Sequence, residues 1–551
     1  MSTPDVPTSP LLPSEGESSG YFYGLSGRYR LLARSNIAEE PWGQSEFYYG
    51  YSQFPDRMAM KNIGQNEVQE KWNSHAVYDI RDILERSGKR WNHCHLLRLG
   101  HKREGKYNPV VLVGVEHGST SQVDANDLVN EAKNCLANHG ILSGVPVLVY
   151  EASVWDVTTG PKPRGPEPLG PTPLGHMPLG PKLLDPVGEF NATADVRQPF
   201  THTLGQCIAP YNAPRCEGTL GFYMAKSDDP EGIYGVTCRQ VLEPDLEDRN
   251  NQLYEYTGKG EPLQYVILPG DTTLDRVEDK IKKLAEKQQS LGEHAEWNIK
   301  EATTTEIHRK HWEINWRHAQ RTIVECQRLL EEIGKWRTLE SRKVGHIVYS
   351  PPMESFPGLA ATCDVCVLKF DKDKFTSPPR NVVHLGAKYS VGELMGKLNP
   401  HPECKYKIEW PDGLLMELRD PVKLEELERP DMLNEEGENC LLVFKYGRTT
   451  GLTMGYTNEA KSLRKVYLPN GQDFATMEFG VMDIDRSKGT FSERGDSGSV
   501  IFDKTGRMVG LLTAGSGSTD TTDVTFLSPI IHLVDHLKNK GFHLKLVEEF
   551  K

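Results

Sequence analysis

The clearest hydrophobic periodicity lies between His75 and Glu151. Ala76, Ile80, Ile83 and Leu84 recur at helical spacing and the run stops near Gly88, which predicts an amphipathic helix. Leu96, Leu97 and Leu99, and then Val110–Val115, read as two strands. Val123, Leu128, Val129, Ala132 and Leu136 mark a second helix, with the Ser and Thr hydroxyls of residues 119–121 to cap it and Gly140 to end it. Val145–Tyr150 is a third strand. The order α-β-β-α-β predicts a small α/β sandwich with its helices on one sheet face.

The flanks carry other patterns. Residues 1–20 are rich in Ser, Pro, Gly and acids and read as a disordered tail. The next stretch, to about Lys71, is aromatic but irregular. From Gly165 to Leu184 a five-residue G-P-x-P-L repeat recurs. Proline at that density blocks helix and ladder alike, so 156–194 reads as a semi-rigid linker. A proline-rich ligand for another protein is the alternative.

After Phe190 the chain turns strand-like, with one interruption. Leu274, Val277, Ile281, Leu284, Gln288, Leu291 and Ala295 alternate spacings of three and four, as do Trp312, Trp316, Ala319, Ile323, Cys326, Leu330 and Ile333. Two heptad seams predict an antiparallel helical hairpin over 272–342, with Trp312 and Trp316 packed in the seam. Such an insertion is expected to be dispensable for the surrounding β domain. It is either a solvated coiled-coil pair or a docking arm for a partner.

Composition narrows the classes. The 551 residues carry 64 Lys+Arg against 77 Asp+Glu, a net charge of -13, and no local basic patch is evident, which argues against nucleic acid. No apolar run approaches the roughly 18 residues of a membrane span, and the N-terminus lacks the basic and apolar regions of a secretory signal. The ten cysteines are too sparse for a disulfide scaffold. The reading is therefore cytoplasmic, with neither membrane nor nucleic-acid partner. His93, His95, His101 and His117 cluster near the predicted strands, but at no known metal-ligand spacing. There is no Walker A sequence and no G-x-G-x-x-G after a strand, so no metal or other cofactor is expected.

Chemistry concentrates near the C-terminus. In Gly495-Asp496-Ser497-Gly498-Ser499 a tight glycine turn would expose a hydroxyl, with the N–H groups of Gly495 and Ser497 converging as an oxyanion hole. Strand Val500–Asp503, a turn through Gly506, strand Met508–Thr513, strand Val524–Pro529 and a helix from Ile530 to Leu537 follow.

This stretch resembles the C-terminal barrel of trypsin-like (chymotrypsin-fold) serine proteases. The resemblance makes Ser497 the nucleophile and Thr513, Ala514 and Gly515 the strand that pairs with substrate backbone. Residues 361–368, Ala-Thr-Cys-Asp-Val-Cys-Val-Leu, look like the family's acid-bearing strand, with Asp364 as the orienting carboxylate. Thr237-Cys238-Arg239-Gln240-Val241 resembles the family's histidine motif, but Gln240 stands in the histidine slot. An amide cannot accept the serine proton, and losing the triad histidine of subtilisin costs about 10⁶ in turnover. Two other histidines, His346 on a predicted strand before Asp364 and His202 before the barrel, are candidates to replace it. Phe491 lies where trypsin carries an acid, so cleavage after Lys or Arg has no support. Lys343–Pro352, Lys445–Thr453 and the N-terminal α/β segment are similar to intracellular trypsin-like proteins of mushroom-forming fungi.

The expected organisation is a disordered tail (1–20), an α/β domain (21–155), the linker (156–194), and a trypsin-like double β-barrel (195–551) carrying the hairpin. The expected function is that of a serine endopeptidase homologue that cleaves or binds polypeptides, impaired at Gln240. A pseudoprotease acting as a protein-binding scaffold, and an active serine protease inactivated at Gln240, are the alternatives.

Overall fold

The chain was analysed as a computed structural model, which describes residues 11–544 except 28, 43–56, 142–143, 156–179, 189–190, 244–250, 261–262, 302–303, 357–360, 387, 400, 402, 404–410, 485–488 and 519–520. It is a mixed α/β, β-rich fold with two large sheets.

The α/β module forms as its periodicity predicts. Strands Trp91–His101 and Tyr107–Val115 pair antiparallel, Val147–Glu151 joins parallel, and Arg30–Arg34 adds an antiparallel edge. Helices Val77–Arg86 and Gln122–Asn138 bury Ile80, Leu84, Leu128 and Leu136 against one face, with Cys94, Val111 and Val149. The opposite face is covered by Phe22, Leu31, Met58 and Met60. Of the irregular aromatic stretch, 43–56 lies outside the described residues; its described parts form a packing layer with two short strands, Arg30–Arg34 and Met58–Lys61, that its sequence does not announce.

Two expected boundaries shift. Of the predicted tail, 1–10 lies outside the described residues, but Glu15–Gly20 is helical, capped by Ser14, and Glu17 makes a buried ion pair with Arg34 at 2.7 Å. Of the linker, 156–179 lies outside the described residues, but Leu183 is buried and donates its N–H to Lys374 O at 2.7 Å. The last repeat unit therefore packs on the following domain.

The α/β module also shares its sheet with the C-terminal third of the chain. Cys94 and His93 pair with Leu463 and Arg464 of strand Gly451–Tyr467. Around this seam Trp72 Nε1 donates to Lys461 O (2.8 Å), and Gln69 Nε2 and Asn73 Nδ2 both donate to Glu459 O (2.9 Å each). A single thirteen-stranded sheet results.

Within that sheet six strands close a ring. Gly451–Tyr467, Leu442–Gly447, Val500–Asp503, Arg507–Ser518, Thr521–Pro529 and Asp473–Asp483 pair in turn, and the last returns to the first. In the nine-stranded sheet the circuit is completed by chain continuity rather than by a strand pair. Cys207–Pro210 pairs with Gly218–Thr219, which runs on through Leu220 and Gly221 into Phe222–Lys226. Asp229–Thr237, Cys366–Phe370, Lys343–Ser350 and Tyr265–Ile267 complete the circuit back to Cys207–Pro210.

The hairpin is present as helices Asp271–Lys300 and Glu306–Gly334. Its base is core, since Leu274, Val277, Ile281, Leu329 and Ile333 join the main hydrophobic cluster. Its far end differs from expectation. Trp312 is half-buried and meets His294 edge-on at 5.3 Å, but Trp316 is 37% exposed, and Trp297 and Ile314 are more exposed still. The helices run past the body that buries their bases. Among the described residues no helix is long and apolar enough to cross a membrane.

Candidate active site

Register places Gln240 beside Asp364. Strand Asp229–Thr237 pairs with Cys366–Phe370, ending at Thr237 opposite Cys366. The residues just beyond that last pair, on antiparallel chains, must leave the sheet side by side. The chain then turns into the short helix Arg239–Leu242. Its Gln240 N–H donates to Asp364 Oδ1 at 3.1 Å, and Gln240 Nε2 donates to Asp364 Oδ2 at 2.7 Å and to Thr513 O at 2.6 Å. Both side chains are buried.

Ser497 comes from the other ring, in the turn before Val500–Asp503. Gly495 and Gly498 have φ of 94° and 87°, values only glycine adopts freely. A Cβ on Gly498 would collide with Thr237 Oγ1 and lie 3.3 Å from Cys238 N, so the glycine lets the turn press against the segment leading to Gln240. Thr219 fastens it, donating its N–H to Ser497 O (2.9 Å) and its hydroxyl to Gly495 O (2.8 Å). The turn is also held from inside. Asp496 accepts from the N–H of Thr449 (2.8 Å) and of Glu493 (3.0 Å), and pairs with Lys445 Nζ at 3.2 Å. Burial pushes the Lys445 ammonium down, and Asp496 pulls it back up. Ser497 Oγ is buried and has no hydrogen-bond partner among the described residues. Among the described residues no hydrogen bond joins Gln240 to Ser497 Oγ; the two Gln240 amide hydrogens go to Asp364 and Thr513 O.

The remaining candidates fall nearby or elsewhere. Thr513, Ala514 and Gly515 lie on Arg507–Ser518 beside Gln240. Phe491 is buried, its carbonyl accepting Thr453 Oγ1 at 2.7 Å, with Lys445 Nζ 5.8 Å from its ring. His346 sits opposite Lys369, toward the end of strand Cys366–Phe370 away from Cys366, against the Tyr256 ring at 5.2 Å. It does not join the Gln240–Asp364 pair. His202 lies 3.3 Å from the Asp185 carboxylate. His93 Nε2 meets Tyr150 Oη at 2.6 Å and His95 Nδ1 meets Ser462 Oγ at 2.9 Å. Burial pushes His93 down to about 3. The described cysteines are free, and burial raises the Cys238 thiol well above its ordinary value.

One residue escaped sequence reasoning. Glu478, fully buried, accepts Thr513 Oγ1 at 2.8 Å and also bonds Thr362 Oγ1, with Arg464 Nη1 at 3.5 Å. Its partners are scattered along the chain, so no local spacing signals it. Lys445 was visible as a charge among Val443 and Phe444 at strand spacing, but nothing in sequence pointed it at Asp496.

No family model matches this chain, and no curated protein matches it. A solved structure of a glutamic acid-specific serine protease, described as using a histidine triad in substrate binding, is similar at 11% identity, covering 62% of this chain and 100% of its own. The TM-score is 0.27, too low for the likeness to bear on fold or function.

Proposed function

We propose that the chain is a trypsin-like serine endopeptidase homologue that takes polypeptide at the strand edge beside Ser497, with peptidase turnover suppressed by Gln240. The six-stranded ring bearing Ser497 and the seven-strand circuit bearing Gln240 and Asp364 support a double-barrel architecture. One observation carries the reading. Gln240 occupies the position of a base oriented by Asp364, bonding that carboxylate through both its backbone N–H and Nε2, while Ser497 Oγ lies buried without a partner among the described residues. In this reading Asp364 orients, Ser497 is the nucleophile, and the N–H groups of Gly495 and Ser497 face a developing oxyanion. An amide at 240 cannot carry the serine proton to a leaving amine.

A scaffold that binds polypeptide without cleaving it is the second reading, favoured by the commitment of both Gln240 amide hydrogens. Gln240→His separates the two. An imidazole there would bond Asp364 through one nitrogen and present the other to Ser497. Cleavage of a broad peptide library should rise by several orders of magnitude over the unmodified chain, and a further Ser497→Ala change should abolish it. Robust Ser497-dependent cleavage by the unmodified chain would overturn the suppressed-enzyme reading, and a Gln240→His protein that binds added peptide without cleaving it would favour the scaffold.

A further inference from the structure

The edge of strand Arg507–Ser518 nearest Ser497 is filled in sequence by different parts of the chain. Val500 pairs with Leu511, and Leu512 exchanges hydrogen bonds with Ser499 O (3.0 Å) and Gly498 N–H (2.9 Å). The Thr513 carbonyl takes Gln240 Nε2. Past that point Gly515 and Ser516 pair antiparallel with Trp155 and Val154, and Gly517 N–H donates to Ser153 O at 3.1 Å. The partner here is the last described stretch before the Pro/Gly-rich residues. It leaves the α/β module at Ala152, whose carbonyl is held by Asn92 Nδ2 at 2.7 Å.

This short strand is seated by one side chain. The Trp155 indole is buried to 2% exposure and donates Nε1–H to Thr522 Oγ1 at 2.9 Å. A Cβ on Gly515 would lie 2.7 Å from the indole nitrogen, so glycine at 515 is what admits an aromatic ring. Ser153, Val154 and Trp155 also line a cavity of about 440 Å³ with Asn92, His117, Tyr467 and Arg494. The strand's direction is set by the register, which steps from Gly517 to Gly515 and so towards Thr513 and the Ser497 turn.

We infer that this edge is a strand-addition site for an extended polypeptide carrying an aromatic residue opposite Gly515, and that the chain supplies its own occupant, Ser153–Trp155. Main-chain pairing gives such a site its affinity and a side-chain seat gives it selectivity. The inference rests on the reading that the strand edge beside Ser497 takes polypeptide, and adds that this edge is filled in cis. A tethered occupant competes at roughly millimolar effective concentration, so an added peptide at micromolar concentration is excluded until the tethered one is weakened.

The test uses the full chain and a fluorescent peptide, Glu-Ala-Ser-Val-Trp-amide, followed by anisotropy. Trp155→Ala should take up the peptide ~10-fold or more tighter than the unmodified chain, and the same peptide with Ala for Trp should bind neither protein. Equal uptake by the two proteins, or none by a folded Trp155→Ala protein, overturns the inference. A second measurement needs no variant. In the unmodified chain the Gly517 amide should exchange hydrogen through a local opening that precedes unfolding, and millimolar peptide should slow it; exchange only through global unfolding overturns the inference. Cleavage is read separately. Peptide uptake by Trp155→Ala with no cleavage by Gln240→His in the Trp155→Ala background overturns the peptidase reading alone. Equal cleavage of added peptides by Gln240→His with and without Trp155→Ala overturns the inference alone.

Discussion

Lys445 Nζ lies 3.2 Å from Asp496 Oδ2, and both side chains are fully buried. The ion pair sits inside the turn that carries Ser497, so the shape of that turn depends on a charge supplied by another strand. Removing one partner of a buried pair costs about 3–5 kcal/mol, because the other charge is left without compensation. Lys445→Met should lower stability by that amount in urea unfolding. Lys445→Met with Asp496→Asn should recover most of it, since no charge then remains buried.

Gln240 and Asp364 provide a second test. Gln240→Glu would set two carboxylates where Nε2 now meets Oδ2 at 2.7 Å. Like charges that close cannot both ionise cheaply, so one must hold a proton. The variant should melt well below the unmodified chain at pH 8, and much closer to it at pH 5. A melting deficit independent of pH would show that shape, not charge, sets the cost.

Glu459 links stability to pH at the seam between module and ring. Its carboxylate accepts Asn62 Nδ2 (2.9 Å) and Gly64 N–H (2.8 Å), yet burial pushes it up from 4.5 to about 7. Between these values the unfolded chain has released the proton and the folded chain keeps it. Each rise of one pH unit in that window therefore costs the fold about 1.4 kcal/mol. The contribution is whole below about pH 4.5 and lost by about pH 7. Stability measured across this window should fall less steeply in Glu459→Gln.

The helical hairpin should tolerate trimming but not removal. Residues 287–318 include exposed Leu291, Trp297, Ile307, Ile314 and Trp316, and replacing them with a short Gly/Ser loop should leave the melting temperature within a few degrees. Deleting 272–342 strips Leu274, Val277, Ile281, Leu329 and Ile333 from the core. At roughly 2–5 kcal/mol for a buried aliphatic side chain, that protein should fail to fold cooperatively, as circular dichroism would show.

Periodicity made the local architecture legible. The α/β helices and strands, the two heptad helices and the strand–turn–strand series after Ser497 all lie close to where spacing places them, because each is decided by neighbours a few residues away. The pairing of Gln240 with Asp364 was readable only as motifs, and the register of Thr237 with Cys366 supplies the physical reason. What sequence hid is long-range. Cys94 against Leu463, Trp155 against Gly515 and Lys445 against Asp496 each join residues with no common periodicity. The helix at Glu15–Gly20 was hidden for a related reason: Glu17 reads as solvent-loving until Arg34 is known to face it from a buried strand.

The shared sheet has a consequence during synthesis. Strand Trp91–His101 is made early, but Leu463, its partner at Cys94, is encoded several hundred residues later. At ~5–20 residues per second of translation, that edge of the nascent α/β module waits tens of seconds for its neighbour. Until then it presents unpaired backbone groups to any passing strand. A truncated chain ending before residue 451 should therefore aggregate or remain chaperone-bound, although it contains every residue of the module.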